Sequence, residues 1–121
     1  MPPNLLAKKM ISKFQEGRSL QMSKMYTLVR KDLPWSIRTV QACHSVAEFI
    51  LNEKTEWDNG TMVVLGVKNE KELLKWISEL CGVGHPYQAF IEPDLGNQTT
   101  AVTFVGVPEP LQEDICFLPL L

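Results

Sequence analysis

Residues 25–51 read MYTLVRKDLPWSIRTVQACHSVAEFIL, and the reading of this stretch decides the fold. Its first six residues, MYTLVR, favour extended backbone and predict a strand. KDLP interrupts it, and Pro34 suits the first turn of a helix, where no backbone N–H is needed. From there Ile37, Val40, His44, Ala47 and Leu51 recur at steps of three, four, three and four, the spacing of a core-facing helical stripe that runs to Leu51 or Glu53. His44 sits on that stripe where a leucine would be ordinary.

Working outward, the polar loop NEKTEWDNG leads into TMVVLGV at 61–67, a short apolar run of the kind found in buried central strands. Asn69 followed by Glu72 matches a capping box, and Leu73, Trp76, Ile77 and Leu80 make the buried face of a helix that stops at GVG, 82–84. YQAFIE at 87–92 and TTAVTFVGV at 99–107 are two more strands, with a short helix between Glu109 and Phe117. The order β-α-β-α-β-β predicts an α/β fold, a four-stranded mixed sheet with helices on its faces. Strands joined through helices should run parallel, and the last pair, linked by a short loop, should include an antiparallel partner. On the other side, residues 1–21 read as an appendage, with Leu5, Leu6, Met10, Ile11 and Phe14 as the apolar face of a short helix. Residues 22–121 then form a single domain.

A chain of 121 residues, 45% hydrophobic and 21% charged, is long enough to bury a core within one domain. No apolar run approaches the ~20 residues that span a bilayer. The first residues lack the continuous apolar region of a secretory signal, so the expected location is cytoplasmic. Cys43, Cys81 and Cys116 lie 35 or more residues apart without a C-x-x-C pair, which argues against a disulfide framework or a zinc site. They read as reduced thiols, Cys43 as a core cysteine. The net charge of −2 is unevenly spread. Up to Val40, eight basic residues face Glu16 and Asp32, and beyond it four basic residues face twelve acidic ones. A polyanion approaching the start of the first helix would meet a favourable field there.

A ligand in such a sheet belongs at the carboxyl end of a strand, where RKDLPWSIRTVQACHS falls. Gln41, His44 and Glu48 are spaced to share one helical stripe, as an amide, an imidazole and a carboxylate. Two readings of His44 stay open: a general base toward water, or a satisfied half-buried core histidine. The loop EPDLGNQTT adds Glu92 and Asp94 as candidate bases, Gly96 for a positive φ, and Asn97, Gln98 and Thr99 as donors; turn chemistry alone would also select these residues. His85 reads as a loop residue.

VRKDLPWSIRTVQACHSVAEF resembles the opening strand, loop and helix of the type II peptidyl-tRNA hydrolases. Their pattern runs R-x-D-L, then G-K, then A-A-Q-x-x-H-A. Arg30, Asp32, Leu33, Gln41 and His44 stand at matching positions, and Asp94 and Gly96 match the family's D-A-G-R-T loop. V-Q-A-C-H is similar to the divergent branch called peptidyl-tRNA hydrolase domain-containing proteins. The likeness covers about residues 24–107. It implies a three-layer α/β/α fold and metal-independent, cofactor-free hydrolysis of the ester joining a peptide to the 3′ ribose of tRNA. On that mapping the catalytic residues are His44, which organises or deprotonates water, Gln41, which positions it, and Asp32 and Asp94, which polarise the site. Arg30, Arg38, Gly96, Asn97 and Thr99 would bind substrate, and family members can pair as homodimers.

Two cations of the pattern are missing. Ser36 and Ile37 stand in place of G-K, and Arg38, one residue further, points about 100° away on a helix. Asn97 replaces the arginine of the D-A-G-R-T loop. These departures leave two other functions open: a ligand-binding or interaction module that kept the scaffold without efficient catalysis, and an esterase or nucleotide-processing enzyme acting on a smaller substrate.

Overall fold

MYTLVR becomes the strand β1 (Met25–Arg30), which lies inside the sheet with a neighbour on each side. The computed structural model describes residues 23–53, 57 and 60–121, so the helix expected within residues 1–21 lies outside the described part. After β1 come α1 (Trp35–Asn52), β2 (Met62–Val67), α2 (Glu70–Gly82), β3 (Gln88–Glu92), β4 (Gln98–Val105) and α3 (Gln112–Ile115). Single 3-10 turns at Pro93–Leu95 and Glu109–Leu111 precede β4 and α3.

The result is a mixed α/β fold with an open four-stranded sheet in the order β2-β1-β4-β3. β1 pairs parallel with β2, Leu28 opposite Leu65, and antiparallel with β4, Leu28 opposite Val102; β3 and β4 are also antiparallel. β4 therefore runs against the other three strands, as the short loop before it requires.

Side chains alternate along β1 between two different surroundings. Tyr26 and Leu28 share a cluster with Leu65, Val67, Val102 and Phe104, under Leu73, Trp76 and Leu80 of α2 and Leu111 and Ile115 near α3. This apolar core follows the expected α2 face, with Ile77 at its margin. Asn69 caps α2 by accepting the Glu72 N–H at 3.0 Å, while the Glu72 carboxylate reaches back to the Lys68 N–H at 2.6 Å. A capping box normally returns to the cap residue itself, and here it overshoots by one.

The opposite face is covered by α1, and here the expected stripe is corrected. The residues of α1 that bury against the sheet are Gln41, Ser45 and Phe49. Val40 and Leu51 are 49% and 81% exposed, and His44 and Ala47 are exposed with them. The cause lies in the strands beneath. β1 and β4 present Thr27, Thr100 and Thr103 to α1, so the helix meets them with an amide and a hydroxyl instead of leucines. Ser45 Oγ lies 2.8 Å from Thr103 Oγ1, which lies 2.9 Å from Thr27 Oγ1, a fully buried hydroxyl chain. Polar groups are tolerated in a core when they pair with one another in this way. At the far end of this face Phe49 packs with Met25 and Val105. Cys43, expected in the core, is exposed, as are Cys81 and Cys116; all three are free thiols.

Candidate functional site

Gln41 is the hinge of the site. It is 3% exposed, its Oε1 accepts the Thr100 hydroxyl at 2.6 Å, and its Nε2 donates to Glu92 Oε1 at 2.9 Å. Strict alternation would turn Thr100 with Val102 toward α2. A register shift between Phe90 and Ile91 leaves Thr100 as an extra residue on β4, and this β-bulge aims its hydroxyl at α1. His44, three residues after Gln41, stacks flat on the Phe90 ring, with centroids 4.7 Å apart and planes 10° from parallel. The imidazole therefore lies over the edge strand β3, open to solvent, with the Glu92 carboxylate at the end of the same strand.

Hydrogen bonding fixes the charge of Glu92. The Gln41 amide and then the Asp94 N–H hold its carboxyl below its ordinary value; burial opposes them, and the field of His44 adds the smallest lowering. The expected stripe of Gln41, His44 and Glu48 does not form a hydrogen-bonded set. Gln41 is committed to β3 and β4, and Glu48 meets Gln88 Nε2 at 3.4 Å. Among the described residues His44 has no hydrogen bond or ion pair to either acid, and Glu92 is the one whose carboxyl responds to the field of His44.

Arg30 and Asp32 form a second cluster at the end of β1. Arg30 is 6% exposed; its Nε and Nη2 each donate to the Asp32 carboxylate at 2.9 Å, and its Nη1 donates to Gln98 Oε1 at 2.7 Å and the Thr99 carbonyl at 3.2 Å. This bidentate pair holds the Asp32 carboxyl below its ordinary value and raises that of the guanidinium. Glu70 accepts the Thr99 N–H at 2.8 Å and ties the same corner to α2. Asp32 is thus the counter-ion of a nearly buried arginine, and the group binds β1 to the start of β4.

The other expected residues are more peripheral. Arg38 donates to the carbonyls of Leu33 and Lys31 and lies 4.2 Å over the Trp35 ring, so its guanidinium closes the loop between β1 and α1. Asp94 is exposed and contributes its N–H to Glu92. Gly96 and Asn97 adopt positive φ of 67° and 61° and turn the chain into β4, which accounts for both residue types. His85 anchors to the Val105 carbonyl at 2.9 Å. Among the described residues no three of His, Cys, Asp and Glu gather where they could hold a metal ion.

Phe90 and Thr100 have roles that the sequence reading did not assign. The threonine-rich run QTTAVT was the available sign that α1 would meet a polar strand. Chemically, the arrangement offers an exposed imidazole on an aromatic platform, an ionised carboxylate nearby, and a buried amide that fixes the carboxylate. Such a set can orient a water molecule and take its proton. No protein-family model matches the chain, and no curated protein matches it.

Proposed function

We propose that the chain hydrolyses the ester of peptidyl-tRNA, with water activated beside His44 and Glu92 stabilising the imidazolium that forms. The observation that supports this reading is His44 stacked on Phe90 of the strand whose last residue, Glu92, is held by Gln41 and lies within the field of His44. It joins two residues of the Q-x-x-H pattern that resembles the type II peptidyl-tRNA hydrolases. Gln41 acts in this scheme by positioning Glu92, because both ends of its amide are engaged within the protein. The ester is labile, so orientation and modest electrostatic help suffice for turnover. The same reading carries the three-layer layering of that family, a tRNA partner, a cytoplasmic role in translation and a homodimer.

One observation favours a second reading, a binding module without efficient catalysis. Ile37 stands where the pattern has its lysine, and Arg38 is engaged by loop carbonyls. No other cation among the named site residues replaces them at His44, since Arg30 is taken up by Asp32.

The test is release of peptide from an N-blocked aminoacyl-tRNA, comparing wild type with His44→Ala at equal folded concentration. Because His44 is exposed, the variant should keep its fold, and its rate should fall by about 100-fold or more, the range for loss of a general base. Equal rates in both proteins, or no turnover in the wild type, would overturn the hydrolase reading.

A further inference from the structure

The loop after β1 leads into α1 on one face of the sheet, and the loop after β2 leads into α2 on the other. Neighbouring parallel strands whose connections leave in opposite directions open a crevice at their carboxyl ends, the usual ligand position in an α/β sheet. A cavity of about 300 Å³ occupies that place, lined by Lys31, Gly66, Lys68, Phe117, Leu118 and Pro119. It lies apart from His44, Gln41 and Glu92, none of which lines it.

Its charge is more one-sided than its composition. Asp32 and Glu72 also line the cavity; the charge of Asp32 is balanced by Arg30, while Glu72 keeps its charge and turns one oxygen to the Lys68 backbone N–H. Among the described residues neither lysine side chain has an ion-pair partner, so two ammonium groups stand against the single unbalanced carboxylate of Glu72 and leave the lining positive by one. Lys31 is also held in place. A Cβ on Gly66 would lie 2.6 Å from both Cγ and Cδ of Lys31, so the lysine stem crosses β2 in the space that glycine leaves. Leu118, Pro119 and Phe117 complete the lining, and Phe117, 80% exposed, offers a stacking surface.

We infer that this crevice binds a nucleotide, its phosphate between Lys31 and Lys68 and its base against Phe117. A free nucleoside monophosphate and the unpaired end of an RNA strand share this chemistry. The volume suits one nucleotide, at the small end of ligand cavities. The inference does not depend on hydrolysis at His44.

Adenosine monophosphate is the probe, titrated into the full chain by calorimetry. Saturable binding is expected, weakened about tenfold or more in Lys31→Gln/Lys68→Gln and about tenfold in Phe117→Ala. Adenosine and inorganic phosphate should each bind about tenfold more weakly than the monophosphate. His44→Ala should bind it as the wild type does, which separates this site from the hydrolase reading. A single-stranded tetranucleotide that binds more tightly, with the same losses in the variants, would identify the strand end as the ligand; equal or weaker binding would identify the free nucleotide. The three altered side chains are exposed, and unchanged melting of the variants confirms the fold. Absence of saturable binding by both probes, or binding unchanged in the double-lysine variant, would overturn the inference.

Discussion

Arg30 is a cation in a place where water cannot solvate it, and Asp32, whose side chain is 40% exposed, is the group that makes this tolerable. Removing one partner of such a pair strands the other's charge. Asp32→Asn should therefore destabilise the protein at neutral pH by roughly 1–2 kcal/mol, discounted from a fully buried pair because the carboxylate is partly screened by water. The pH dependence has a definite sign. The folded-state pKa of Asp32 lies below its ordinary 3.8, so its contribution is fully present above that value and is lost as pH falls through the folded pKa. Urea denaturation of both proteins from pH 7 downward should give curves whose gap starts to close near pH 3.8 and is gone below the lower folded-state pKa. A gap that stays constant down to that pH would mean that Asn disturbs the corner sterically.

At the scale of the element, α1 separates hydropathy from burial. Phe49 is 2% exposed among Met25 and Val105, whereas Leu51, two residues on, is 81% exposed. Phe49→Ala should cost about 3–5 kcal/mol, and Leu51→Glu should change stability by no more than about 0.5 kcal/mol, both measured by denaturant unfolding. Equal losses would restore the stripe through Leu51 to the core. The contrast explains what was legible in the sequence. The four strands and α2 were located by β-rich and apolar runs, a 3.6-residue period and an Asn69 cap. The extent of α1 was legible from Pro34 onward, but its orientation was not. Helix orientation was judged from apolar spacing, and the surface that α1 covers is a set of threonine hydroxyls. The site suffered from the same blindness. Gln41 and His44 stood out by spacing, while Thr100 enters only through a bulge, and a bulge depends on pairing between strands far apart in sequence.

Across the whole molecule, an open sheet has two edges, and an uncovered edge invites pairing with another chain. β2 is one of them, and the segment Pro119–Leu121 lies along it. The Gly66 N–H donates to the Pro119 carbonyl at 2.8 Å, the Leu121 N–H donates to the Val64 carbonyl at 3.0 Å, and Leu65 bridges antiparallel to Leu120. The segment thus occupies hydrogen-bonding groups of β2 that would otherwise face outward, and it also supplies one wall of the crevice at Lys31 and Lys68. Removing residues 119–121 should lower stability by about 1–2 kcal/mol, the net value of two backbone hydrogen bonds. It should also promote self-association that grows with protein concentration, visible by sedimentation velocity. Loss of stability without association would mean that the twist of the sheet or the neighbouring Leu118 already protects the edge. Association without loss of stability would mean that the segment blocks pairing while contributing little to the fold.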